Sequence, residues 1–316
     1  MSYSEEVTEI AVGVLKRGGK VCLSLRQKTQ SFAGLWEFPG GKIEKGEGIE
    51  TALKREFAEE LAIETSDWQP LITIPWRYPG FAIRLNVYIT GSFQGEPVGN
   101  EGQEIAWHTI DTLDAQLFPA ANRGIITALQ LADQYMISGD FKDQDDALIR
   151  LDQALNNGIR LCQLRAKNLP EEVFLQLAKN AIPLARKHHA KLLLNGRPDL
   201  LNLLPNADGV QLASNLIYDY STRPIATNKL LGVSTHTRED IEQALKIGAD
   251  FILLSPVKET SSHPGVPGIG WQAFAESVSG VPIPVFALGG MKPEAVVEAK
   301  KRGGQGVAAI SGFWPN

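Results

Sequence analysis

This 316-residue sequence has little cysteine, no long apolar run and no excess of positive charge, and each of these features excludes a class of protein. Only Cys22 and Cys162 occur, both in apolar strand-like segments, which predicts buried thiols in a reducing, cytoplasmic compartment rather than a disulfide framework or zinc site. No apolar run approaches the roughly 18 residues that a membrane span needs. Residues 1–9 also lack the apolar core of a signal peptide. We therefore expect neither membrane insertion nor export.

The charge balance argues against a nucleic-acid-binding protein. Lys and Arg number 31 against 36 Asp and Glu, a formal net charge of -5. A phosphate-bearing ligand must therefore be held locally, by metals or by a few well-placed cations, and we expect no stable binding of nucleic acid. The hydrophobic content of 43% and the length fit a globular protein with two cores.

The first part of the chain has the pattern of a mixed α+β domain, residues 1–133. Gly18 and Gly19 separate two apolar runs within residues 7–26 and predict a β-hairpin. A Gly/Pro-rich turn at 38–41 precedes an expected helix from Ile49 to Leu61. The remaining expected elements are strands at 69–76, 82–91 and 104–108 and a closing helix at 121–135.

Short apolar strands alternate with helical patterns through the rest of the chain, residues 134–316. Such alternation is typical of a parallel sheet, and eight units predict a (β/α)8 TIM barrel. The eight expected strands lie at 134–138, 159–164, 191–195, 208–212, 230–235, 250–255, 284–288 and 306–310. The main expected helices lie at 145–157, 170–189, 238–247, 270–278 and 293–302.

Three glutamates of the first expected helix, Glu56, Glu59 and Glu60, share one helix face because they are spaced i, i+3 and i+4. Like charges so close repel one another unless a divalent cation lies among them. Oxygen ligands without His or Cys favour Mg²⁺, or alternatively Mn²⁺, over Zn²⁺. Arg55 can hold a carboxylate by a bidentate contact. Taken alone, however, this spacing is more often a solvated acidic helix face.

The surrounding residues favour the metal site, because segment 41–63 resembles the Nudix box. The positions in register are Gly41, Glu47, Arg55, Glu56, Phe57, Glu59, Glu60 and Ile63. The one departure is Ala62, where the family has glycine. The resemblance implies an α/β/α sandwich and a Mg²⁺-dependent pyrophosphohydrolase with Arg55 and the three glutamates as catalytic residues. It also implies that Gly41 joins the glutamates as a metal ligand.

Motifs outside the box resemble the MutT branch, which removes 8-oxo-dGTP from the nucleotide pool. They are Arg26 and residues 36–41, 95–97, 100–103 and 118–122. The resemblance implies that Glu101 is a metal-associated carboxylate or base, that Arg26 contacts phosphate, and that Phe38 and Asn122 line the purine pocket. An Asn amide suits the paired edge of an oxidised guanine, although Asn122 is equally placed for a helix N-cap. Residues 78–81 depart from the pattern, since the family commonly has polar or charged residues after the aromatic.

Residues 134–316 resemble thiamine phosphate synthases and their TenI relatives. The resemblance lies in short motifs at expected strand ends, at 163–167, 207–212, 232–237, 248–250, 255–257 and 289–291. Barrel enzymes place their sites in the loops that follow the strands. The resemblance implies a thiamine-related phosphate as ligand, with contacts at Arg165, Lys167, His236, Gly289 and Gly290. Each glycine pair, taken singly, is also typical of a tight turn.

The barrel segment departs from the synthases at the positions that hold their metal. Synthases keep acidic residues after the Asn of the third strand and after the fourth strand, where this chain has Asn195-Gly196 and residues 213–216 without a carboxylate. We therefore expect no Mg²⁺-diphosphate site and no synthase reaction. His236 brings the segment closer to TenI, which is linked to isomerising a thiazole phosphate, and serves either as acid or base or only in loop structure. Residues 261–265 are expected to form a mobile lid.

Three functional hypotheses follow. The leading one is a MutT-like hydrolase of nucleoside triphosphates, above all 8-oxo-dGTP. The second is a bifunctional thiamine-pathway enzyme whose Nudix half acts on a thiamine-related diphosphate. The third is a hydrolase whose barrel serves only for binding or oligomerisation.

Overall fold

The computed structural model describes residues 7–260, 265 and 267–315, which form two compact units. One unit comprises Met1–Gln130 with Ser279–Ile283, and the other comprises Leu131–Val278 with Pro284–Asn316. Residues 261–264 of the expected lid lie outside the described residues. In the described part of the chain, no helix combines the length and apolarity that crossing a bilayer requires.

A mixed sheet forms the centre of the N-terminal unit. Its strands follow the order β3-β2-β1-β7-β6, with β4 paired to β1 and β9 to β2, while β5 and β8 form a separate pair. Among the strands described in this unit, β1 and β7 are the one pair that runs parallel. The elements are β1 (Val7–Arg17), β2 (Lys20–Leu25), β3 (Trp36–Glu37), β4 (Gly40–Lys42), α1 (Ile49–Leu61), β5 (Glu64–Ser66), β6 (Gln69–Tyr78), β7 (Phe81–Thr90), β8 (Ser92–Gln94), β9 (Ile105–Thr109) and α2 (Arg123–Gln130).

Helices cover both faces of this sheet, because side chains alternate along its central strand. On β1, Ala11 and Leu15 pack in one core with Phe57 of α1, whereas Val12 and Val14 pack in another with Ile125 of α2. This is the expected α/β/α sandwich. Gly13 permits the close approach of α1, since a Cβ there would collide with the Phe57 ring.

The strands and the first helix of this unit lie where the sequence pattern placed them, with two corrections. The expected turn at 38–41 includes part of a strand, since Gly40 and Gly41 pair with β1. The expected helix at 121–135 is shorter: it starts at Arg123 after a 3-10 turn, Ala120–Asn122, and ends at Gln130. Gln134 and Tyr135 instead begin a strand, which pairs with a strand on each side. The apolar pattern here fits a buried strand as well as a helix, so the strand pairing decides the structure.

Eight parallel strands close into a barrel in the second unit, confirming the expected architecture. Its strands are β10 (Gln134–Ile137), β11 (Leu161–Leu164), β12 (Lys191–Asn195), β13 (Gly209–Leu212), β14 (Leu230–Thr235), β15 (Phe251–Leu254), β16 (Val285–Leu288) and β17 (Gly306–Ala309). Its helices are α3 (Gln144–Asn156), α4 (Glu171–Lys187), α5 (Leu200–Leu203), α6 (Arg238–Lys246), α7 (Gly270–Val278) and α8 (Val296–Lys301). β10 also pairs with β17, which completes the ring.

Aromatic rings fill the barrel interior. Tyr135, Phe251 and Phe286 are fully buried, and their centroids lie 5.5 to 5.8 Å apart in tilted or edge-on arrangements. The barrel is therefore packed rather than hollow, and a ligand must bind in the loops at its rim.

Candidate active sites

An arginine organises the carboxylates of α1. The Arg55 guanidinium donates to both oxygens of Glu47, at 3.0 and 2.9 Å, and to Oε1 of Glu56 at 2.8 Å. A longer contact of 3.4 Å reaches Glu59. The hydrogen bonds from Arg55 hold the pKa of Glu47 below its usual value. Arg55 thus acts as a positioning residue for this acidic face.

Glu60 has the most perturbed environment of these glutamates. Partial burial, together with the nearby charges of Glu56, Glu37 and Glu101, raises its pKa to about 8. The backbone N–H of Gly40 donates to Oε2 of Glu60 at 3.2 Å and partly opposes this rise. A carboxylate in such surroundings needs a positive charge beside it to remain ionised.

Strand β4 passes directly beside the acidic face. Gly41 lies so close to Glu56 that a Cβ would overlap its carboxylate, and a Cβ on Gly40, which has φ +145°, would overlap the Ala11 carbonyl. Only glycine allows this approach. The structure therefore brings Gly41 next to the glutamates with which it was predicted to act.

The loop at 100–103 is fixed to the end of α1. The side chain of Asn100 donates to the Glu59 carbonyl at 2.8 Å, and that of Gln103 donates to the Glu60 carbonyl at 2.8 Å. These contacts satisfy carbonyls that a helix end leaves free. They also hold Glu101 close enough for its charge to act on Glu60.

The donor set fits a divalent cation by its chemistry, since it offers hard carboxylate oxygens around a half-buried glutamate whose pKa is raised by like charges. Within the described residues, no three His, Cys, Asp or Glu side chains gather into a finished ion site. The reason lies in the contacts above: Glu56 and Glu59 turn towards Arg55, and Glu60 turns towards Gly40.

Arg26 is linked to the acidic face through Glu37, whose charge acts on Glu60. Its guanidinium pairs with Glu37 and donates to the Ser31 carbonyl at 2.6 Å. Burial raises the pKa of Glu37, and Arg26 opposes the rise. Glu37 was not singled out, because only the antiparallel register of β2 and β3 brings it to Arg26.

The two residues predicted to line a purine pocket both lie in the core of the sheet face that α2 covers. The rings of Phe38 and Phe118 are stacked, with centroids 5.7 Å apart. Asn122 is buried, and its amide donates to the Pro119 carbonyl at 3.4 Å. Asn122 is the last residue of the 3-10 turn Ala120–Asn122 and directly precedes the first residue of α2. Tyr78, the aromatic that begins the segment departing from the MutT pattern, accepts a 3.4 Å hydrogen bond from the backbone N–H of Ala121.

The residues predicted to bind a ligand in the barrel all follow barrel strands, at the rim. Arg165 and Lys167 follow β11, His236 follows β14, and Gly289 and Gly290 follow β16. Parallel strands bring these ends to one face. The backbone of Arg165 is fixed there by Ser138, whose hydroxyl accepts from the Arg165 N–H at 2.7 Å.

A cleft of about 470 Å³ opens at this rim, and Lys167, Asn195 and Gly196 are among its lining residues. Arg197, which also lines it, is paired with Glu171 at 3.0 Å and Asp199 at 3.3 Å. The carboxylates of Glu171 and Asp199 are thus both paired with Arg197. Gly196 has no carboxylate at the position where the synthases have an acidic residue. The rim does not fit the Mg²⁺-diphosphate group of the synthases.

The glycine pair of the rim is required by packing. Gly289 and Gly290 both have positive φ, and a Cβ on either would press against residues 256 and 259 of the neighbouring loop. His236 is exposed, with Nδ1 2.9 Å from the Ser255 carbonyl oxygen. That contact sets the tautomer and leaves Nε2 for a ligand. Asp240 fixes the loop by accepting from the His236 N–H at 2.8 Å.

Comparison with known proteins matches each unit to a family. Residues 134–313 match the family described as thiamine monophosphate synthase, and residues 11–128 match the NUDIX domain. An 8-oxo-dGTP diphosphatase of Haemophilus influenzae is 37% identical over 40% of this chain and 93% of its own length. A candidate thiamine-phosphate synthase 2 of Aquifex aeolicus is 38% identical over 58% of this chain and 99% of its own. A thiamine-phosphate synthase of Pyrococcus horikoshii is 35% identical over 50% and 76%, respectively.

Proposed function

This chain belongs to the NUDIX and thiamine monophosphate synthase families, and from that premise we propose that its N-terminal domain, residues 1–133, hydrolyses 8-oxo-dGTP to 8-oxo-dGMP and pyrophosphate. The observation that carries the proposal is the half-buried Glu60, whose carboxyl group feels the charges of Glu56, Glu37 and Glu101, with Arg26 paired to Glu37. Such a group of carboxylates beside a cation favours a polyphosphate bound through divalent cations. The similarity to a diphosphatase of oxidised dGTP supports the choice of base.

The residues of the cleft have separate tasks in this proposal. Glu56, Glu59, Glu60 and Glu101, with the Gly41 carbonyl, would hold Mg²⁺, which neutralises phosphate oxygens and lowers the pKa of a water. Arg55 keeps Glu56 oriented, and Arg26 contacts the phosphates after leaving Glu37. Phe38 and Phe118 provide apolar ring faces for the purine, and the Asn122 amide reads its edge.

A substrate panel tests this function. We expect Mg²⁺-dependent release of pyrophosphate from 8-oxo-dGTP to exceed that from dGTP, ADP-ribose and thiamine diphosphate. Asn122→Ala should lower kcat/KM for 8-oxo-dGTP about 10- to 100-fold and that for dGTP much less, because it removes hydrogen bonds to the oxidised edge. Equal losses on both substrates would contradict the role of Asn122.

A thiamine-related diphosphate is the second candidate substrate, since the same chain carries a thiamine monophosphate synthase domain. In that case thiamine diphosphate would be hydrolysed faster than the other substrates of the panel, and both domains would serve one pathway. For residues 134–316 we propose binding of a thiamine-related phosphate monoester without a metal. The support is the lack of an acid at Gly196 and the presence of Lys167 in the rim cleft.

A further inference from the structure

Two glutamine side chains hold the backbone of Glu101, one on each side of the residue. The Glu101 N–H donates to Oε1 of Gln103 at 2.9 Å, and the Glu101 carbonyl oxygen accepts from Nε2 of Gln27 at 3.0 Å. Gln103 is itself anchored, because its Nε2 donates to the Glu60 carbonyl at 2.8 Å. The direction in which the Glu101 side chain leaves the backbone therefore depends on both glutamine amides.

The two glutamines come from different parts of the N-terminal unit. Gln103 belongs to the same loop as Glu101, whereas Gln27 follows Arg26 at the end of β2. The two segments run side by side, since the Leu25 N–H donates to the Glu104 carbonyl at 2.8 Å, just beyond the pairing of β2 with β9. Gln27 thus joins the residue after the expected phosphate contact to the expected metal-associated carboxylate.

The backbone around Gln27 is fixed without help from its own side chain. The Arg26 N–H donates to the Leu35 carbonyl at 2.9 Å, and the Arg26 carbonyl accepts from the Gly34 N–H at 3.0 Å. The Gln27 N–H donates to Oε1 of Gln30 at 2.8 Å, and the Gln27 carbonyl accepts from the Gln30 N–H at 3.0 Å. These bonds use the main chain of residue 27, so a different side chain at this position keeps them.

Hydrogen bonds, rather than packing, orient Glu101. The residue is exposed, so no core fixes its side chain. Gly99 and Gly102 lie on either side of it, and the Gly102 N–H donates to the Gly99 carbonyl at 3.1 Å. Glycine allows a wide range of backbone conformations, so such a loop keeps one shape only where hydrogen bonds hold it. The contact from Gln27 is therefore placed to decide where the Glu101 carboxylate points.

We propose that Gln27 is a positioning residue, which orients Glu101 beside the end of α1 and fixes it to the strand end that carries Arg26. This inference rests on the proposed function, in which Glu101 helps to hold Mg²⁺ and Arg26 contacts the phosphates. Gln27 acts through the peptide group of Glu101 and not on the metal itself. A carboxylate that is already oriented loses less conformational freedom when a cation binds, so the Gln27 amide raises the affinity for the metal.

Binding of Mn²⁺ to the full-length protein without nucleotide, measured by calorimetry, tests this role independently of turnover. Gln27→Met keeps the length of the side chain and removes the amide donor. We expect the Kd for Mn²⁺ to rise about 3- to 10-fold, the effect of losing roughly one hydrogen bond. Gln94→Met on the exposed end of β8 is the matched control and should leave this Kd unchanged.

A double-mutant cycle distinguishes positioning from a general loosening of the unit. If Gln27 acts through Glu101, Gln27→Met should have no further effect on the Kd in a protein that already carries Glu101→Gln, because residues that act together are not additive. An equal rise in Kd with and without Glu101→Gln would overturn the inference. An unchanged Kd in Gln27→Met alone would overturn it as well.

Kinetics give a second readout. In Gln27→Met, the Mg²⁺ concentration for half-maximal hydrolysis should rise severalfold, while KM for the nucleotide at saturating Mg²⁺ should change less than about twofold. A rise in KM alone would mean that Gln27 acts on Arg26 instead, and it would refute the role in orienting Glu101. If the parent protein hydrolyses no nucleotide, or if Glu101→Gln leaves the Kd for Mn²⁺ unchanged, the proposed function fails, so the two failures are distinguishable.

Discussion

The two units place opposite charges where, on our proposal, each meets a phosphate-bearing ligand. In the N-terminal unit, the charges of other glutamates act on the half-buried carboxyl group of Glu60, whose pKa is raised to about 8. At the barrel rim, Lys167 lines the cleft, and the nearby Glu171 and Asp199 are both paired with Arg197. The difference teaches that a phosphate can be held either by carboxylates through a metal or by cations directly. On our proposal, one chain combines both solutions.

Removing one carboxylate from the N-terminal cleft should have the largest effect. Glu60→Gln keeps the size of the side chain and removes the charge that would hold a divalent cation, so we expect kcat/KM for 8-oxo-dGTP to fall on the order of 100- to 1,000-fold. Steady-state kinetics with Mg²⁺ measures this. Glu50→Gln on the exposed first turn of α1 is the matched control and should retain activity, and full activity of Glu60→Gln would refute the metal assignment.

Removal of divalent metal ions by chelation should affect the two units differently. We expect EDTA to abolish nucleotide hydrolysis while the affinity of the barrel for a thiazole phosphate, measured by calorimetry, changes less than about twofold. Lys167→Ala should weaken that affinity about tenfold through the loss of one charge-assisted contact. Lys246→Ala, at the exposed end of α6, should not change it. A metal requirement for binding at the rim would remove the contrast between the units.

The perturbed Glu60 also predicts a pH dependence of stability. Its pKa is raised from 4.5 to about 8 on folding, so its stabilising contribution is complete below about pH 4.5 and is lost as the pH rises through about 8. We expect the Tm of the metal-free protein to fall by several degrees between pH 5 and 8 relative to Glu60→Gln. Mg²⁺ should raise the Tm more at pH 8 than at pH 5. If the Tm of the parent protein and the Tm of Glu60→Gln changed equally with pH, the raised pKa of Glu60 would be contradicted.

The smallest effect concerns the departure from the Nudix box. Ala62 ends α1 in the left-handed region, with φ 54°, a conformation that glycine adopts at lower cost. Ala62→Gly should therefore stabilise the N-terminal unit by about 0.5 to 1 kcal/mol without changing turnover. Denaturant unfolding measures the change. Ala58→Gly, in the exposed middle of the same helix, should shift stability in the opposite direction.

Sequence periodicity predicted the architecture well, because the pattern and the packing agree. The bounds of α1 and all eight barrel strands follow from apolar spacing and from Gly and Pro breaks. The residues of the two sites could be predicted only where they belong to a sequence motif. Glu37 could not be predicted, because the antiparallel register of β2 and β3, which has no local sequence pattern, brings it to Arg26.

The pairing of β10 with β17 has a consequence for biosynthesis. Tyr135 pairs with Ala308, so the last rung of the barrel cannot form until nearly all of its sequence has left the ribosome. Until then β10 and β16 each have an unpaired edge, which is a template for association with other chains. Translation that stops shortly before Gly306 should therefore yield an aggregating product, whereas the local hairpins of the N-terminal unit can pair early.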